Sequence, residues 1–263
     1  MRKSGLMVVF EGLDGSGKGT QLNVFKSFLE KESELDQGSQ IKLFKEKISK
    51  VYGGKNQQFD MFSMFLKERK VPFVTYDFPR YYENYWGGMV GRMLTGEFGK
   101  KVNPYLRSVF YFLDQADACK TIRKELKEGK IVICNRYLTS SYIFQAALIR
   151  GKEKKRNYIK WLEDTAYGKL KMVRPDIVLA LFVDPIIAQK LIEKKELRKY
   201  TNGKTKDINE QNIRLQINAG KEMLKYCKER KEWKLINCMD GENIKTPEEI
   251  GDMIRSELKN YLY

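Results

Sequence analysis

Gly12-Leu13-Asp14-Gly15-Ser16-Gly17-Lys18-Gly19-Thr20 follows a short apolar run, Leu6 to Phe10, and opens a stretch from Lys18 to about Lys31 that reads as a helix. The run is compact enough for a buried central strand, and a glycine-rich turn between such a strand and a helix start is the setting in which GxxxxGK cradles phosphate. Glycines let the backbone curl until several N–H groups converge on phosphate oxygens, and the helix N-terminus adds positive potential. Gly12, Asp14, Gly15, Ser16, Gly17, Lys18, Gly19 and Thr20 are the expected phosphate-binding positions, with Lys18 bridging the β- and γ-phosphates of ATP. The hydroxyl that ordinarily follows this lysine is absent, because Gly19 stands there and Thr20 comes one place later. Asp14 is then the nearest acid for Mg²⁺ bound with ATP, and the triphosphate itself is the principal metal ligand.

The remaining chain alternates short apolar runs with helical periodicity. Val71 to Tyr76, Ile131 to Cys134, Asp176 to Val183 and Trp233 to Cys238 read as four further strands. A long helix is expected from Pro104 to Gly129, its inner face marked by Leu106, Val109, Phe110 and Leu113. Further helices are expected over Tyr137 to Ile149, Asn157 to Met172, Ile186 to Arg198, Asn209 to Arg230 and Pro247 to Tyr261. This order implies an α/β fold: a three-layer αβα P-loop NTPase sandwich on a five-stranded parallel sheet, one domain over residues 1–263. Residues 31–69 interrupt the alternation with two amphipathic stretches around Gly53-Gly54, which read as a helical insertion after the first helix.

Composition narrows the chemistry. Histidine is absent, which removes Ser-His-Asp and Cys-His catalysis and His-ligated metals together. Phosphoryl transfer suits what remains, since it is catalysed mainly by positioning and charge stabilisation. The four cysteines show no CxxC spacing and read as reduced and structural. A net charge of +16 attracts polyanions, but the lysine runs are interleaved with glutamates and read as solvated surface, so nucleic acid is not an expected partner. No apolar run is long enough to cross a bilayer, and Leu6 to Phe10 is too short for a signal-peptide core; a cytoplasmic location with no membrane partner is expected.

Three stretches carry a resemblance. Asp77-Phe78-Pro79-Arg80-Tyr81 follows the second strand, Tyr111-Phe112-Leu113-Asp114-Gln115 lies in the long helix, and Asn135-Arg136-Tyr137-Leu138-Thr139-Ser140-Ser141 follows the third strand. In this order they resemble the thymidylate kinase family: an FPR-type motif, a base-binding helix and a DRY box. Arg174-Pro175-Asp176, Val183-Asp184-Pro185 and Asp207-Ile208-Asn209-Glu210 also fit. The resemblance implies a kinase moving the γ-phosphate of ATP to dTMP, commonly as a homodimer. It implies monophosphate and base contacts from Phe78, Arg80, Tyr81, Tyr111, Gln115, Arg136, Ser141 and Phe144, a basic lid over 193–208, and catalysis by Lys18, Arg136, Arg198 and Asp14. Two family positions differ: Asn135 replaces the acid of the DRY box, and Gln115 replaces the base-reading arginine. A kinase for another deoxynucleoside monophosphate, a polyphosphate-dependent nucleotide kinase and a non-catalytic basic P-loop protein are the alternatives.

Overall fold

The computed structural model describes residues 5–34, 72–99, 101–193 and 212–262. Most of the expected insertion, and the expected lid from residue 194 with Arg198, lie outside the described residues. Five parallel strands form the sheet: β1 (Leu6–Gly12), β2 (Phe73–Asp77), β3 (Ile131–Asn135), β4 (Ile177–Phe182) and β5 (Trp233–Asn237), in the order β2-β3-β1-β4-β5. All five expected strands are present. β1 is buried along its whole length between β3 and β4, with Val9 opposite Cys134 and Val178.

Alternation along the strands builds two cores. Leu6, Val8 and Phe10 face one way, where Leu22, Phe25 and Leu29 of α1 (Lys18–Glu34) and Ile250, Ile254 and Leu258 of the C-terminal helix (Pro247–Leu262) cover them. Met7 and Val9 face the other way, toward a larger cluster that includes Phe112, Ile122, Tyr158, Leu162, Ala219 and Met223. Helices therefore cover both faces, as the strand-helix alternation implies.

Helices on the second face are α2 (Tyr85–Leu94), α3 (Pro104–Lys127), α4 (Lys152–Glu163) and α6 (Ile213–Glu229); α5 (Pro185–Glu193) follows β4. The C-terminal helix is α7. Two segments expected as ordinary helix contain π-helical turns, Ser141–Gln145 and Asp164–Lys169. A short antiparallel pair, β6 (Met239–Asp240) with β7 (Asn243–Ile244), precedes α7 and was not anticipated.

α2 was also missed, for an identifiable reason. Its sequence carries Gly87, Gly88 and Gly91, which are poor helix formers. Asn84 starts the helix by accepting from Gly87 N at 2.7 Å. A Cβ at Gly87 would meet the Arg80 carbonyl oxygen at 2.1 Å, so the helix lies where only glycine fits.

α3 begins and ends as expected, with Pro104 in its first turn, Asn103 accepting from Tyr105 N, and Gly129 at φ +80° beyond it. Its inner face differs from the apolar pattern. Leu106 is 48% exposed, while Arg107, Ser108, Asp114 and Gln115 are buried with Phe112 and Ala118. Val109, Phe110 and Leu113 are half-buried, Phe110 against Val90, Met93 and Leu94 of α2. Buried polar groups need partners, and Asp114 has several: its carboxylate accepts from Arg80 N and Nε, both at 3.0 Å, and from Asn84 Nδ2 at 2.7 Å. One carboxylate thereby joins α3, the segment after β2 and the start of α2. Asp114→Ala is expected to cost on the order of 3 kcal/mol, because it strips partners from a largely buried guanidinium. Urea unfolding measures this, and an unchanged midpoint would contradict the account.

Candidate active site

The carboxyl ends of β1, β2 and β3 open on one cleft of about 630 Å³. This is where open parallel sheets bind ligands, beside the point at which the chain reverses its direction across the sheet. The loop Asp14 to Thr20 lines one side. Asp77, Phe78, Pro79 and Tyr81 line another, with Tyr111 and Leu94 from the neighbouring helices. Asn135, Arg136, Ser140, Phe144 and Gln145 complete the wall from the β3 side.

The glycine loop has the shape its sequence requires. Gly15 sits at φ +81°, and a Cβ there would meet the Ala188 carbonyl oxygen at 2.3 Å, so both conformation and space exclude a side chain. Lys18, at the start of α1, reaches back into the loop: Nζ donates to the carbonyls of Leu13 at 2.6 Å and Gly12 at 3.0 Å, and lies 3.3 Å from Ser16 Oγ.

Behind the loop, Glu11 is fully buried. Its Oε1 accepts from Gly12 N at 3.0 Å, and its Oε2 from Thr139 Oγ1 at 2.7 Å and Ser140 Oγ at 2.8 Å. Arg136 Nη1 lies 3.2 Å from both Glu11 Oε1 and the Gly12 carbonyl, and Nη2 pairs with Asp14. The guanidinium also lies over the Phe144 ring, 5.2 Å from its centroid. Burial draws the Arg136 pKa down, but the Asp14 and Glu11 carboxylates outweigh it and hold the group more firmly charged than usual. Arg136 adopts φ +62°, a left-handed conformation uncommon outside glycine, at the point where the chain turns out of β3 toward the loop.

Asp77 and Asn135 are register partners at the ends of β2 and β3, and Asn135 Nδ2 donates to Asp77 Oδ1 at 2.6 Å. Asp77 is open to the cleft, yet the surrounding walls desolvate its carboxyl and raise its pKa; the Asn135 hydrogen bond and the charges of Arg136 and Lys18 act the other way.

The thymidylate kinase family model matches residues 53–256, more than half of the chain. The chain belongs to the thymidylate kinase family. It is 28% identical over 203 residues to a thymidylate kinase of Bifidobacterium longum subsp. infantis, covering 76% of this chain and 68% of that protein. A probable thymidylate kinase of Thermococcus kodakarensis is 27% identical over 236 residues, 89% of this chain and 90% of that one. Among solved structures, a thymidylate kinase from Candida albicans superposes with a TM-score of 0.63 at 15% identity, over 98% of this chain and 92% of that one; at that identity the likeness speaks for the fold.

Within this thymidylate kinase fold, the cleft gathers Asp14 to Thr20, Phe78, Tyr81, Tyr111, Arg136 and Phe144 of the expected site residues. Gly12 and its carbonyl lie just behind the loop. Besides Gly12, three expected residues among those described do not line the cleft. Arg80 turns to α3, where it pairs with Asp114 and, at 2.7 Å, with Asp117 Oδ2. Gln115 and Ser141 are buried, with Gln115 Oε1 and Ser141 Oγ unpartnered among the described residues. Asp77, Asn135, Ser140 and Gln145 line the cleft without having been proposed as ligand contacts. Their signal was positional, since Asp77, Asn135 and Ser140 stand in motifs that follow a strand and Gln145 adjoins the expected Phe144. Asp14, expected as the metal acid, is engaged on both oxygens, by Arg136 on Oδ1 and by Gln216 Nε2 at 2.9 Å on Oδ2. Among the described residues no group of three or more His, Cys, Asp or Glu side chains could hold a metal ion, and no helix is long and apolar enough to cross a membrane.

Arg136→Lys keeps a positive charge but loses the planar fork that meets Glu11, Asp14 and the Gly12 carbonyl together. Turnover is expected to fall by about a hundredfold or more while cooperative thermal unfolding is retained. Wild-type turnover in this variant would contradict the role given to Arg136.

Proposed function

We propose that this chain transfers the γ-phosphate of ATP to dTMP. One observation carries the reading: a phosphate loop with its lysine and a pocket walled by Phe78, Tyr81, Tyr111 and Phe144 open on the same cleft, with Arg136 between them. Family membership supports the pairing of ATP with a thymidine monophosphate.

On this reading the loop amides and Lys18 hold the triphosphate, and the Lys18 ammonium exchanges its carbonyl contacts for phosphate oxygens. Arg136, positioned by Glu11 and Asp14, meets the phosphoryl group in transit. The monophosphate oxygen attacks the γ-phosphorus in line, and no covalent intermediate with the protein is required. Aromatic rings suit a planar base, and Gln145, whose Oε1 is buried and unpartnered among the described residues, offers an amide able to donate to thymine O4 and accept from N3–H. Gln115 is buried and does not line the cleft.

Mg²⁺ would accompany ATP and neutralise charge on its phosphates. The residues present suit an oxygen-bound cation that keeps waters and phosphate ligands, because Asp77, at the end of β2, presents a carboxylate to the cleft that the loop lines. A lid cation, with Arg198 as the candidate, would add charge from outside the described residues. Family resemblance supports a cytoplasmic homodimer as part of the same proposal.

Steady-state assays with ATP and dTMP, dUMP, dCMP, dGMP or AMP are expected to give the highest kcat/KM with dTMP. A higher value with dCMP would overturn the thymidylate reading while leaving the fold intact. Lys18→Ala is expected to lower transfer by at least about a hundredfold without loss of cooperative unfolding. An active Lys18→Ala protein would contradict the mechanism.

A further inference from the structure

Two carboxylates line the cleft among the described residues, Asp14 and Asp77, and their hydrogen bonds distinguish them. Asp14 is committed to holding other side chains: one oxygen pairs with Arg136 and the other accepts from Gln216. Glu11, the remaining acid near the loop, is sealed behind it with both oxygens occupied by Gly12 N, Thr139, Ser140 and Arg136. Asp77 differs. A single described donor reaches it, the Asn135 amide on Oδ1, while the residue stays open to the cleft that the loop lines.

A second observation lies beside it. Asn135 Oδ1 is buried, without a hydrogen-bond partner among the described residues. A buried acceptor left unmade is costly in a native structure and calls for an explanation. The strands fix the arrangement: Asp77 and Asn135 are paired in register, and Phe78 N donates to the Asn135 carbonyl at 3.0 Å, so the two side chains emerge together at the cleft floor. Gly19 removes the hydroxyl that ordinarily contributes an oxygen beside the phosphates, so the loop itself supplies one cation ligand fewer. Mg²⁺ is usually held by one or two carboxylates, the phosphates and waters.

We infer that Asp77, with Asn135 bonded to it, is the protein's anchor for the divalent cation that accompanies the triphosphate, in place of Asp14. This rests on the reading of the loop as an ATP site. The carboxylate supplies the negative charge, directly or through a bound water, and Asn135 orients it by donating from Nδ2 to Oδ1. The acid that the DRY-box position lacks thus stands one strand away, hydrogen-bonded to the residue that replaced it.

The test separates metal from nucleotide on the intact chain. ATP affinity is measured by calorimetry in EDTA, and Mn²⁺ affinity of the ATP complex by electron paramagnetic resonance, for the parent, Asp77→Asn, Asp14→Asn and the exchanged pair Asp77→Asn/Asn135→Asp. Asp77→Asn is expected to weaken Mn²⁺ by about tenfold or more, a loss of the size seen when a group supporting a metal is removed, while ATP in EDTA binds undiminished. The exchanged pair, which returns the carboxylate to the same hydrogen-bonded couple, is expected to recover most of the Mn²⁺ affinity. Parent-like Mn²⁺ affinity in Asp77→Asn, or a loss confined to Asp14→Asn, would overturn the inference and leave the ATP site standing. A loss of ATP affinity in EDTA equal to the loss for Mn²⁺ would also overturn it, by making Asp77 structural. Absence of ATP binding by the parent in EDTA and in Mg²⁺ alike would instead overturn the reading beneath it.

Discussion

A fully buried carboxylate at the end of the central strand fixes the geometry of the cleft. Glu11 lies where water does not reach it, and a buried charge is tolerated only when paired and fully hydrogen-bonded. Its partners come from two places far apart in sequence: the first residue of the phosphate loop, and Arg136, Thr139 and Ser140 after β3. Satisfying one acid therefore brings the loop that holds phosphate against the arginine that meets it. Arg136 accepts a left-handed backbone to be there, and Asp14 holds the far side of its guanidinium. Catalysis of phosphoryl transfer depends on such positioning more than on reactive groups, which suits a chain without histidine.

The same economy appears on the monophosphate side. Asp114 is buried on α3 and gathers Arg80 and Asn84, so that the segment between β2 and α2 lies along the cleft. Pro79 and Tyr81 then line the cleft, while the Arg80 side chain between them is spent on holding the segment in place. Buried polar residues on both sides of the site serve to aim backbone, and the groups left open to the cleft are few.

What the sequence made legible was local. An apolar strand, a glycine loop and a helix start are contiguous, so β1, the loop and α1 follow from neighbouring residues, as do the short strands that each feed a motif. α3 was legible in extent and misleading in orientation: apolar spacing turned Leu106 inward, whereas the structure exposes it and buries Arg107, Asp114 and Gln115. Periodicity assumes that a helix buries its apolar face, and a helix whose polar residues hold a binding cleft together departs from that rule. α2 escaped notice because one of its glycines, Gly87, is there for close approach to Arg80, a contact between segments that no window of sequence contains. Arg80 and Gln115 carry the right side chains for ligand binding at motif positions, but the acid beside Arg80 and the packing around Gln115 depend on how helices meet strands. The pairing of Asp77 with Asn135 likewise depends on which strands are neighbours, something fixed only by the order β2-β3-β1-β4-β5.

All of this rests on converging amides and one ammonium binding a terminal triphosphate at the start of α1. Titration of the intact, folded chain with ATP in a calorimeter, with and without Mg²⁺, addresses it directly. The account predicts saturable binding at one site per chain. A flat titration under both conditions would contradict it.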